Sequence, residues 1–126
     1  MTWEDVLKAE FRFNDIVFKP HRNDPEGWEF TKKFKNGLYI SIIAGTGFYS
    51  TPRDSLTDPM AYTAYEIYMN VDDNLLNQLI DLGFNHDGIA YYKTKKEIED
   101  IVNMTLKLFD KEKERESRSP SSFQFA

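Results

Sequence analysis

Trp28-Glu-Phe-Thr-Lys-Lys-Phe-Lys35-Asn36-Gly37-Leu38-Tyr-Ile-Ser-Ile-Ile-Ala44 is the stretch that decides the fold. Asn-Gly between two alternating runs is the preferred two-residue hairpin turn, because both central residues need positive φ. Such a turn fixes the register and predicts Lys35 opposite Leu38, Phe34 opposite Tyr39 and Phe30 opposite Ile43. One face then carries Trp28, Phe30, Phe34, Tyr39 and Ile43. The other carries Leu38, Ile40 and Ile42 opposite Thr31, Lys33 and Lys35. Residues 38–44 are apolar on both faces, the pattern of an interior strand in a covered sheet.

Upstream, the alternation of Phe11, Arg12 and Phe13, followed by Ile16-Val17-Phe18, predicts a strand over 11–19 that Pro20 ends. Before it, Thr2 as N-cap, Glu4 and Asp5 in a first turn, and Val6 with Leu7 predict a short helix over 2–9. His21 to Gly27 reads as a loop. Downstream, two glycines and two prolines make residues 45–60 a long loop. Residues 61–71 read as a strand with Tyr65, Ile67, Met69 and Val71 on one face. Asp72 or Asp73 caps a helix over 73–82, and Gly83 stands where a left-handed C-cap is expected. Asp87-Gly88 marks a turn into a short strand, Ile89–Tyr92. Thr94-Lys-Lys-Glu97 has capping-box spacing and opens a helix over 95–111 with Ile98, Ile101, Val102, Thr105, Leu108 and Phe109 on its core face. The charged and Ser-rich stretch after it lacks an apolar stripe. The expectation is an α+β fold: a single antiparallel-rich sheet of about five strands, two helices packed on one face and a short N-terminal helix. Residues 1–111 form one domain and 112–126 a flexible tail.

Length and composition bound the function. At 126 residues the chain fits one domain. It has no cysteine, which excludes disulfide scaffolds, Cys-ligated metal and thiol catalysis. No apolar run approaches a membrane span, and the first residues show no basic-then-apolar leader, so a cytoplasmic protein without a membrane partner is expected. The net charge of −5 argues against direct nucleic-acid binding. Between Asp54 and Tyr92 lie seven acidic residues and no Lys or Arg. That acidic middle could meet a basic partner or serve as solvated surface.

Most catalytic constellations are missing. His21 and His86, the only histidines, are far apart and lack metal-ligand spacing. Gly45-Thr46-Gly47 follows a strand as in a phosphate cradle, but lacks a third glycine and a following helix. Asp54/Asp58 and Asp72/Asp73 lack apolar enclosure. No metal, cofactor or catalytic residue is assigned. The remaining candidate is the loop Phe48, Tyr49, Ser50, Thr51, Pro52, Arg53, Asp54, with Tyr62 and Tyr65, and Tyr68 beyond them, extending its surface. Aromatic residues with a lone Arg are the usual hot-spot composition at protein interfaces. The plainer alternative is a loop that closes the sheet end with Arg53 paired to Asp54 or Asp58.

Residues 34–53, Phe-Lys-Asn-Gly-Leu-Tyr-Ile-Ser-Ile-Ile-Ala-Gly-Thr-Gly-Phe-Tyr-Ser-Thr-Pro-Arg, resemble a segment of small phage-encoded accessory proteins. There a Phe-x-Asn-Gly-aromatic hairpin runs into a Ser-Val/Ile-Ile-x-Gly strand and a Tyr-Ser loop; Leu38 stands in place of the aromatic. The resemblance implies an accessory protein that acts in an infected cell by binding a host protein. The expected function is therefore a non-enzymatic protein-binding module, a modulator or inhibitor of a host protein. The alternatives are a small anionic-ligand or nucleotide-binding domain, with Gly45, Gly47, Ser50 and Arg53 around the anion, and an acidic nucleic-acid mimic. Exposed sheet edges are compatible with a homodimer.

Overall fold

The computed structural model describes residues 11–23, 26–34 and 37–123, with side chains in the last helix described as far as Phe109. It is an α+β fold. Five strands, β1 (Lys19–Pro20), β2 (Gly27–Lys33), β3 (Tyr39–Gly45), β4 (Tyr65–Asn70) and β5 (Ile89–Lys93), form one antiparallel sheet in sequence order. Two α-helices follow β4 and β5: α1 (Asp73–Leu79) and α2 (Lys95–Phe123). The helix expected over residues 2–9 lies outside the described residues, and the first described element is a 3-10 turn, Phe13–Asp15.

The hairpin forms, but one residue out of the expected register. Lys33 stands opposite Tyr39 and Phe30 opposite Ile42. The Gly37 N–H donates to the Phe34 carbonyl at 2.9 Å and the Phe34 N–H to the Leu38 carbonyl at 2.7 Å. Three residues, 35–37, therefore lie between Phe34 and Leu38, and Gly37 supplies a left-handed step, at φ 100°. Three-residue hairpin loops of this kind end on a left-handed glycine. A slip of one residue exchanges the faces of one strand relative to its partner. Trp28, Phe30 and Phe34 thus share a face with Leu38, Ile40, Ile42 and Ala44, while Tyr39 and Ile43 join Glu29, Thr31 and Lys33 on the other. β3 is interior, as expected, but only one of its faces is fully buried: Leu38, Ile40, Ile42 and Ala44 are at 0% exposure, whereas Tyr39, Ser41 and Ile43 are half-buried.

The buried face meets both helices in one core. Tyr65, Ile67 and Met69 of β4 and Ala90 of β5 pack with Leu76 and Leu79 of α1 and Ile98, Ile101 and Val102 of α2. Both helix starts behave as read. The Asp72 carboxylate accepts the Leu75 N–H at 2.9 Å. Thr94 and Glu97 satisfy each other's N–H groups at 2.9 and 3.1 Å. Gly83 closes the first helical segment at φ 96°.

Two expectations change. Residues 11–19 do not form a strand beyond Lys19. Phe11 spends its N–H and carbonyl on the Asn103 side chain of α2, at 2.7 and 2.9 Å, and the Phe13 N–H goes to Glu99 at 2.9 Å. A backbone committed to helix side chains cannot join a ladder. The alternating phenylalanines still report burial, since Phe11, Phe13, Ile16 and Phe18 are all core. In addition, α2 runs to Phe123, well past the expected end at 111.

Candidate functional site

The second sheet face carries Tyr39, Ser41 and Ile43 of β3, Glu66 and Tyr68 of β4, and Ile89 of β5, all half-buried. The loop after β3 folds back along this face. Its anchor is Ser50, only 1% exposed. The Ser50 hydroxyl accepts the Gly45 N–H at 3.1 Å and donates to the Pro52 carbonyl at 2.8 Å. Thr51 bridges to Ala64, its N–H donating to the Ala64 carbonyl at 3.0 Å. Phe48 lies beside His21, with ring centroids 4.8 Å apart, and covers Gly27, where a Cβ would stand 2.6 Å from its ring. Any larger residue there would have to displace the Phe48 ring.

This clasp holds Tyr49 over Glu66 and β5. The Tyr49 N–H donates to the Glu66 carboxylate at 3.2 Å, and its carbonyl accepts the Tyr92 N–H at 3.2 Å. The Tyr49 ring lies 4.5 Å from Tyr91 and 5.8 Å from Tyr92, centroid to centroid. Arg53 completes the group. Its Nε donates to the Phe48 carbonyl at 3.0 Å and its guanidinium sits 4.6 Å over the Tyr49 ring, a cation–π geometry. Tyr49, Tyr91 and Tyr92 are 41%, 40% and 48% exposed.

A β-bulge makes the cluster. Ile67 pairs with Ala90 and Tyr65 with Lys93, so Glu66 alone opposes both Tyr91 and Tyr92. Tyr92 adopts φ 55°, the one positive φ outside glycine among the described residues. For a bulky residue that conformation costs roughly 1–3 kcal/mol. Without the bulge, adjacent tyrosines would point to opposite faces. With it, both rings reach Tyr49. The same region is blunted as a pairing edge. The Ile89 N–H donates to the Asn85 side chain at 3.1 Å, and the Ile89 carbonyl accepts the Asn85 N–H at 2.9 Å.

Glu66 is half-buried beneath the cluster. Burial pushes its carboxyl above the ordinary value, opposed by the Tyr49 N–H and by the nearby Arg53 charge. Arg53 forms no ion pair with Asp54 or Asp58. Asp54 accepts its neighbour's N–H at 2.8 Å, and Asp58 caps a 3-10 turn, Pro59–Ala61, through the Met60 N–H at 2.9 Å. The ion pairs among the described residues are Arg22–Glu29 and Lys96–Asp100.

Of the residues singled out in the sequence, the structure brings Phe48, Tyr49 and Arg53 together, with Asp54 exposed alongside. It places Ser50 beneath them as a strut. Tyr62 and Tyr65 do not extend the surface: they are 1% and 0% exposed. The Tyr62 hydroxyl donates to the Asp54 carbonyl and accepts the Leu56 N–H, and the Tyr65 hydroxyl donates to the Pro59 carbonyl at 2.7 Å. Both therefore pin the 54–60 segment from inside the core, and burial with Asp58 nearby pushes the Tyr65 hydroxyl pKa up. Sequence reasoning missed Tyr91, Tyr92 and Glu66. The consecutive tyrosines were visible, but the bulge that aligns them leaves no local signature.

The N–H groups of Gly45, Phe48, Tyr49, Ser50 and Thr51 all donate to acceptors within the protein. Among the described residues no three His, Asp or Glu side chains converge as metal ligands, and every buried side-chain nitrogen or oxygen has a partner. No described helix is long and apolar enough to cross a membrane. No protein-family model, curated protein or solved structure matches the chain.

Proposed function

We propose that this chain is a non-enzymatic protein-binding module and that the Tyr49–Arg53–Tyr91–Tyr92 cluster is its contact surface. The observation that carries this reading is the cluster itself: three half-exposed tyrosines and an arginine, assembled by a clasped loop and a strained bulge. Tyr and Arg are enriched among the residues that dominate binding energy at protein interfaces: Tyr buries much area at the cost of few rotamers, and Arg adds a charged, multi-donor fork. Here Arg53 and Tyr49 are already fixed by Phe48 and Glu66, so less entropy is lost on binding. With the phage-protein resemblance of residues 34–53, the partner we propose is a protein of the host cell, which the chain modulates or inhibits.

The experiment is affinity capture from bacterial lysate with wild-type chain and with the Tyr49→Ala/Arg53→Ala double variant. A partner held by wild type and lost by the double variant, at near-equal melting temperatures, supports the reading. A partner retained by the double variant refutes the surface. A partner lost at high salt from both proteins shifts the reading to the acidic middle.

A further inference from the structure

Arg53 has an unfilled hydrogen-bonding capacity that defines what the cluster recognises; this inference rests on the protein-binding reading above. A guanidinium carries five N–H donors in a rigid fork. Only Nε is engaged, by the Phe48 carbonyl. Among the described residues the terminal nitrogens meet no acceptor and no carboxylate lies within ion-pair distance of the guanidinium. Stacking on Tyr49 and the Nε bond hold the fork in place, while the residue itself is exposed. A fixed, exposed, unfilled fork suits bidentate recognition of a planar anion.

The surroundings narrow the anion. A phosphate dianion calls for more than one cation or a set of free N–H groups. The N–H groups of Gly45, Phe48, Tyr49, Ser50 and Thr51 are spent, and Arg53 is the only basic residue between Lys35 and Lys93. Glu66, Asp54 and Asp58 lie close by in sequence or space and repel extended negative charge. A run of acidic residues is disfavoured on the same ground. A single carboxylate is left. The rings of Tyr49, Tyr91 and Tyr92 beside the fork offer apolar faces and rims to the residues flanking it.

We infer that Arg53 receives one carboxylate of an otherwise apolar or proline-containing partner segment, whose flanking residues lie on Tyr49, Tyr91 and Tyr92. The carboxylate is an Asp or Glu side chain or a peptide C-terminus.

The probe is a set of pooled synthetic hexapeptides of apolar and proline residues, with Glu or Gln fixed at the fourth position. Each pool is made with a free and with an amidated C-terminus. Binding is read by NMR at the Arg53 Nε–H and at the three tyrosine rings. The expected result is that pools bearing a carboxylate shift both sets of signals and amidated Gln pools do not. Comparing amidated Glu with free-acid Gln pools tells side chain from C-terminus. Arg53→Gln should weaken binding at least about tenfold, and Arg53→Lys should recover only part of it, because Lys keeps the charge without the fork. Equal shifts from Glu and amidated Gln pools, or binding unchanged in Arg53→Gln, overturn the assignment and leave the protein-binding reading intact. No shift from any pool at millimolar concentration also overturns it; the lysate capture judges the broader reading separately.

Discussion

Replacing Tyr62 by Phe separates the core from the surface, because it removes one oxygen and no ring. Tyr62 is 1% exposed. Its hydroxyl donates to the Asp54 carbonyl at 2.5 Å and accepts the Leu56 N–H at 3.1 Å. The ring packs in the core beside Tyr65, centroids 5.7 Å apart, and stays in the variant. Two net hydrogen bonds are worth about 1–3 kcal/mol. The Asp54 carbonyl belongs to an exposed residue and regains water, whereas Leu56 is half-buried and its N–H regains water less easily. The expected loss is therefore about 2 kcal/mol. For a domain of this size each kcal/mol lowers the melting temperature by roughly 4 °C. Urea unfolding followed by far-UV circular dichroism gives the free energy, and scanning calorimetry gives the shift. Tyr49→Phe and Arg53→Gln, both on exposed residues, should each cost under about 0.5 kcal/mol. A Tyr62→Phe loss below about 0.5 kcal/mol would refute the claim that this hydroxyl clamps the 54–56 backbone. A Tyr62→Phe variant of full stability that failed to bind the partner would return Tyr62 to the surface.

Gly88→Ala combines a left-handed φ of 79° with a Cβ placed 2.5 Å from the Met69 carbonyl oxygen, so it should cost about 2–4 kcal/mol by urea titration. Thr94→Ala removes the hydroxyl that accepts the Glu97 N–H and should cost about 1 kcal/mol. Glu97 is held below its ordinary value of 4.5, first by the Thr94 N–H. Its stabilising contribution is present above that value and fades as pH falls through the lower folded-state pKa, so the Glu97→Gln and wild-type unfolding curves should converge in acid. Glu66 behaves oppositely. Its folded-state pKa is raised, so ionisation costs stability as pH rises above 4.5 through the folded value, and the full cost stands at neutral pH. The stability of Glu66→Gln relative to wild type should therefore rise across that window and level off above it; a difference independent of pH would contradict burial as the dominant cause.

The helical half of the fold was legible because its signals are local. Asp72, Gly83 and the Thr94–Glu97 pair each satisfy backbone groups within four residues, and all three do so in the structure as their spacing predicts. The β half was legible in kind and not in register. Asn36-Gly37 announces a hairpin, but choosing a two- or three-residue loop depends on which face must be buried. Placing Leu38, Ile40, Ile42 and Ala44 opposite Phe30 and Trp28 buries one apolar face completely, and that long-range gain selects the register. Phe11 to Phe18 misled for a related reason. Alternation reports burial, and the partners that take this segment off the sheet, Glu99 and Asn103, lie 86 and 92 residues away.

The same logic explains why half of the surface cluster was visible and half was not. Tyr49 and Arg53 stand in a loop whose glycines, proline and hydroxyls mark it as unusual, so composition alone drew attention there. Tyr91 and Tyr92 sit in a short strand where neighbours should diverge, and only the register shift opposite Glu66 turns both towards Tyr49. That shift sets Tyr92 at φ 55° and uses its N–H on the Tyr49 carbonyl. A regular continuation of the ladder from Ile67–Ala90 would leave Tyr92 in ordinary extended backbone. The core gains nothing visible from the bulge, since both tyrosines remain 40% or more exposed. Strain that persists without burying its residue is better accounted for by what the residue presents than by what it packs against. On that ground Tyr92, which no motif singles out, belongs with Tyr49 and Arg53 at the centre of the proposed binding surface.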